Sequence, residues 1–104
     1  MVEWLVVVFD KAGSDRSKFR PQHLAAIPPA VESGKVTNVG AIFSEIPELG
    51  KPLNFAGSTY NIEADTREEV LEFIKKDVFA KEGIWDLDNI LIYPYGCAAR
   101  IAKK

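Results

Sequence analysis

Trp4-Leu5-Val6-Val7-Val8-Phe9 is the stretch that decides the fold. An unbroken apolar run rich in β-branched and aromatic residues favours an extended strand. Successive side chains of a strand point to opposite sides, so Trp4, Val6 and Val8 share one face and Leu5, Val7 and Phe9 the other. A sheet with one wet face should alternate apolar with polar residues. This strand does not, so both of its faces need cover. Ile90, Leu91, Ile92 and Tyr93 repeat the pattern near the other end of the chain.

Working outward, Ser14–Ser33 has helical spacing and stops at Gly34, and Pro21 with the Pro28-Pro29 pair is expected to kink or divide it. The helix begins either at Ser14 or at Pro21. A second strand is expected over Val36–Glu45, then a connection punctuated by Pro47, Gly50 and Pro52, then a third strand over Gly57–Ala64. Thr66-Arg67-Glu68-Glu69 reads as a capping box opening a second helix that reaches Lys76 or Asp77. A short polar turn leads to Gly83, and Asn89–Tyr95 supplies the fourth strand.

The order βαββαβ points to an α+β, ferredoxin-like protomer: a four-stranded antiparallel or mixed sheet with both helices on one face. Two helices cover only one side of that sheet. The apolar residues on the other side imply a homodimer through the open sheet face, sheet against sheet, as in a dimeric α+β barrel.

At 104 residues, 47% hydrophobic and 27% charged, the chain reads as a single domain spanning residues 1–104. Its 13 Lys and Arg are scattered among 15 acids for a net charge of -2, which argues against nucleic acid as a partner. No apolar run approaches a membrane span, and no positive region precedes the first strand, so a cytoplasmic location is expected. One cysteine and one histidine fall short of a protein zinc site, and neither a metal nor another cofactor is expected.

Helical projection places Val70, Phe73 and Ile74 on one stripe, with Asp77 near its middle: an acid on an apolar face and at a helix C-terminus, where a negative charge is disfavoured unless something pairs with it. Alternatively the helix ends earlier and Asp77 caps the following turn. The first helix projects Phe19, His23, Ala26, Ile27 and Ala30 onto one face, which Arg16 and Arg20 join. A carboxylate that holds an imidazole in one tautomer suits it to general acid–base work, so His23 with Asp77 is the pair for catalysis. Arg20, with Arg16, would anchor a carboxylate or enolate oxygen of a small-molecule ligand.

Ser58 completes a formal Ser58-His23-Asp77 triad, but no oxyanion motif surrounds it. Gly57-Ser58 reads more simply as a strand start whose small residues leave room for a ligand. Cys97 reads as an incidental thiol, and Trp4, Trp85, Tyr93 and Tyr95 as core or dimer packing before pocket lining.

Asp10-Lys11-Ala12-Gly13-Ser14 followed by Arg16, Arg20 and His23-Leu24 resembles the N-terminal signature of YCII-related proteins, D-K-x-G-S before R-x-x-x-R-x-x-H-L. Gly57-Ser58, Asp77-Val78-Phe79 (where that family has Asp-Pro-Phe or Asp-Pro-Tyr) and Gly83-Ile84-Trp85 with Ile90 and Pro94 extend the resemblance to about Tyr95. It implies a dimeric α+β barrel whose pocket holds an acid–base dyad, here His23 and Asp77. Val78 in place of proline and the Pro28-Pro29 pair depart from the pattern at the pocket wall. Two functions follow: proton transfer of the lyase, isomerase or dehalogenase kind on a small molecule, or a non-catalytic dimer that holds a ligand or serves as an interaction module.

Overall fold

The computed structural model describes residues 1–102. Strands β1 (Val2–Phe9), β2 (Val36–Phe43), β3 (Phe55–Ala64) and β4 (Leu91–Pro94) form one sheet in the order β2-β3-β1-β4. Every adjacent pair is antiparallel. Helix α1 (Arg20–Glu32) connects β1 to β2, and α2 (Arg67–Lys75) with the single turn α3 (Val78–Lys81) connects β3 to β4. Each connection skips one strand, which is the ferredoxin-like α+β topology.

The two sides of β1 differ as its lack of alternation requires. Trp4, Val6 and Val8 are buried against Val70 and Ile74 of α2, Phe79 of α3 and Trp85, with Tyr60 and Ile62 beside them in the sheet. On the opposite face Leu5 and Val7 are half-buried, while Phe9, Leu91 and Tyr93 are 46%, 42% and 59% exposed. The helices therefore cover one face and leave an apolar strip on the other.

The first helical segment differs from expectation in two ways. A 3-10 turn at Arg16–Lys18, capped by the Asp15 carboxylate accepting from the Ser17 N–H at 3.0 Å, precedes α1 and is separate from it. Pro21 falls in the first turn of α1, where a missing N–H costs nothing. The Pro28-Pro29 pair does not divide the helix. The carbonyls their absent N–H groups would have met belong to Leu24 and Ala25, which are exposed.

The second helix ends at Lys75, short of Asp77, which has the extended conformation of an N-cap (φ -71°, ψ 147°). Asp77 is thus not within the apolar stripe of α2, and the expected polar turn before Gly83 is α3. In the box that opens α2, Thr66 Oγ1 accepts from the Glu69 N–H at 3.2 Å, while the Glu69 carboxylate reaches the N–H of Asp65 instead of Thr66. Strand β4 is shorter than expected because Leu87–Asn89 forms a 3-10 turn before it.

Gly57 leaves no room for a ligand. A Cβ there would lie 2.3 Å from the Val8 carbonyl oxygen, so the missing side chain is what lets β1 and β3 approach.

Candidate active site

Asp77 does two things with one carboxylate. As the cap of α3 its Oδ1 accepts from the Phe79 N–H at 3.1 Å, and both of its oxygens lie 2.8 Å from Nδ1 of His23 on α1. The cap fixes where the carboxylate stands, and the helix α1 brings the imidazole to it. The pair is largely out of water, with side chains 6% and 11% exposed.

Aromatic rings wall the imidazole in. His23 stacks on Phe79 with ring centroids 4.2 Å apart and 17° between planes, and Trp85 meets it edge-on at 5.7 Å. Trp85 also packs edge-on against Tyr60 at 6.1 Å. Its indole N–H is buried without a partner among the described residues.

Arg16 supports the other side of Phe79's surroundings. It is buried, donates from Nε and Nη2 to the two oxygens of Asp10 at 2.9 and 2.7 Å, and donates from Nη2 to Ser58 Oγ at 3.1 Å. Its guanidinium carbon lies 4.8 Å from the Phe55 ring centroid and 4.6 Å from that of Phe79, within cation–π range. Asp10 follows β1 directly, and the backbone there ties down the Trp85 segment: Lys11 N–H donates to Ile84 and Asp86 N–H to Phe9, at 2.7 and 2.8 Å.

Among the sequence candidates, the fold brings His23 and Asp77 into contact and sets Arg16 and Ser58 in contact with each other close by. Ser58 is bonded to Arg16 and makes no bond to His23 among the described residues. Arg20 is half-buried with its guanidinium 5.3 Å from the Phe55 centroid. Cys97 is exposed. Among the described residues no three His, Cys, Asp or Glu side chains gather as metal ligands do.

Sequence reasoning missed Asp10, Phe79 and Tyr60. Phe79 stands two residues after Asp77, at the N–H that the carboxylate caps, and Tyr60 stands two after Ser58 and so shares its sheet face. Only the Asp10–Arg16 pair depends on a turn whose shape the sequence leaves open. Burial pushes the Tyr60 phenol well above its ordinary range, the Asp77 charge adds to the effect, and Arg16 opposes it.

A cavity of about 130 Å³ opens between α1 and α2 over the β2–β3 part of the sheet. Ala26, Ala30, Val36, Val39 and Phe73 give it apolar walls, and Tyr60, Lys76 and Asp77 line it as well.

No family model matches the chain. The solved structure of 5-chloro-2-hydroxyhydroquinone dehydrochlorinase from Burkholderia phenoliruptrix, in complex with 2,5-dihydroxybenzoquinone, has the same fold: TM-score 0.73, 24% identity, 90% of this chain and 93% of that one covered. Over 98 residues the chain is 30% identical to aspartate kinase FUB3 of Fusarium oxysporum, but it spans only 18% of that protein's length. Fusaric acid biosynthesis protein 2 of Gibberella fujikuroi is 30% identical over 95 residues, covering 89% of this chain and 91% of the relative. A protein of the derivative-of-benzaldehyde biosynthesis cluster of Emericella nidulans is 34% identical, covering 80% and 88%. With two such relatives matched over most of their length, the chain belongs to the family that includes fusaric acid biosynthesis protein 2.

Proposed function

We propose that the protein is a small-molecule enzyme of the YCII-related kind, in which His23 and Asp77 act as an acid–base dyad. The observation that carries this reading is the 2.8 Å contact of a buried imidazole with a carboxylate at the edge of an open cavity. Such a pair can take a proton from a carbon next to a carbonyl while the electron pair moves onto the carbonyl oxygen. It can then return the proton at another carbon, the balance of an isomerisation. Where the carbanion carries a leaving group such as chloride, the same electron pair expels it. The dehydrochlorinase that shares this fold and the biosynthetic setting of the relatives both support small-molecule chemistry of this type.

The test is solvent deuterium uptake by small, neutral enolisable probes, phenylacetaldehyde first among them. Wild-type protein should speed uptake over buffer, and His23→Gln should lose about 10²- to 10⁴-fold of that rate. Equal rates for the two proteins, or no acceleration on any probe, would leave the site as a ligand holder and end the catalytic reading.

The working unit we propose is a cytoplasmic homodimer. Phe9, Leu91 and Tyr93 form the exposed strip on the open sheet face, and a second copy laid sheet against sheet would cover it. Sedimentation at micromolar concentration should give twice the chain mass, and Tyr93→Lys with Leu91→Lys should give the monomer. A monomeric wild type refutes the assembly.

A further inference from the structure

The dyad can meet a ligand through the imidazole or through the carboxylate, and the cavity distinguishes them. Asp77 is among the residues that line the cavity, while His23 is not and packs against Phe79 and Trp85. Tyr60 and Lys76 line the cavity as well, and Tyr60 is only 4% exposed with a hydroxyl that makes no hydrogen bond among the described residues. It is not sealed off either, since the buried unpartnered side-chain atoms are those of Asn61 and Trp85.

Resting on the dyad reading above, we infer that the cavity takes one neutral, carbonyl-bearing ring, with Tyr60 donating a hydrogen bond to its oxygen and Asp77 as the member of the dyad that touches it. Size limits the ligand first: about 130 Å³ with apolar walls is near the volume of a dry protein cavity that accepts benzene. Chemistry limits it next. A phenol held in its protonated form is a donor, so it asks for an acceptor oxygen. A carboxylate offers only lone pairs, and one already placed in the wall repels carboxylates and phosphates. Lys76 lines the cavity too, but it is exposed, so solvent screens its charge and it offsets little of that repulsion. A ring with an oxygen acceptor at one side and an acidic C–H or O–H at the other satisfies both groups.

Benzaldehyde and toluene are matched probes, alike in size and differing in the acceptor oxygen. Binding is read from the methyl resonances of Ala26 and Ala30 in the cavity wall. Tyr60→Phe should lower the benzaldehyde-to-toluene affinity ratio by about 2- to 10-fold, the worth of one hydrogen bond. An unchanged ratio overturns the inference, as does a failure of either probe to move those resonances at millimolar concentration. Should Tyr60→Phe fail to fold, benzoate on the wild type decides. Binding at least about tenfold weaker than benzaldehyde is expected beside Asp77, and equal or tighter binding overturns the inference. These are affinities alone, so a ring that binds while His23→Gln leaves deuterium uptake unaltered refutes the dyad and not the cavity. Uptake that depends on His23 with no Tyr60 effect refutes the cavity and not the dyad.

Discussion

Replacing Arg16 by alanine should destabilise the fold by about 3–5 kcal/mol, because it removes one partner from a buried ion pair and strands the other. Arg16 is 4% exposed and Asp10 11%, so the carboxylate left behind cannot simply turn to water. The substitution also empties the space beside Phe55 and Phe79, where the guanidinium lies, and takes the donor from Ser58. For a domain whose total stability is about 5–15 kcal/mol, a loss of this size is visible as a large drop in the urea midpoint.

The pair as a whole is another matter, since the desolvation of two charges offsets much of their attraction. Arg16→Met together with Asp10→Ala should therefore cost less than the sum of the two single changes, by about 0.5–3 kcal/mol. If the two effects simply add, the carboxylate is not being stranded and the ion pair does not organise this corner. The corner matters to the dyad because Asp10 lies where β1 meets the Ile84-Trp85-Asp86 segment, and Trp85 is one wall of the imidazole's surroundings.

How much of this was legible in the sequence follows from how local each signal is. The uninterrupted apolar strand Trp4–Phe9 requires cover on both sides, and that argument needs no knowledge of packing. Thr66 before Glu69 marks the start of α2 because the cap is made within four residues. The end of α2 was less legible. Periodicity carries on through Asp77 on paper, yet an aspartate gains more by capping the next turn than by facing a helix C-terminus, and α3 was hidden in a stretch too short to show a period.

The proline pair misled for a related reason. The carbonyls it leaves without partners belong to Leu24 and Ala25 on the exposed side of α1, so the pair weakens the helix without burying an unpaired group and does not break it. Gly57 misled because a missing side chain reads the same whether a ligand or a neighbouring backbone fills the gap. Projection set His23 on the inward face of α1, but it placed Asp77 on α2, which ends before that residue; the carboxylate meets the imidazole from the cap of α3. Tyr60 could have been placed on the sheet face of Ser58 by its spacing, whereas the pairing of Asp10 with Arg16 depends on a turn that only the folded chain shows.

Asp77 offers the sharpest separation of structure from chemistry, because asparagine keeps what alanine removes. Asp77→Ala should cost about 0.5–2 kcal/mol for the lost α3 cap. It should cost about 1–3 kcal/mol more for the His23 Nδ1–H left buried without an acceptor. Asp77→Asn retains an oxygen that can accept from the Phe79 N–H and from the imidazole, the two contacts made at 3.1 and 2.8 Å, so its melting curve should stay close to the wild type. What asparagine cannot do is take up a proton or balance an imidazolium, so deuterium uptake should fall about 10²- to 10⁴-fold in both variants alike. Chemical denaturation and the uptake assay on the same two proteins therefore resolve the roles. If asparagine destabilises as much as alanine, the charge itself holds α1 to α3. If uptake survives in asparagine, Asp77 is a cap that happens to touch a histidine, and the dyad is not the engine of whatever this protein does.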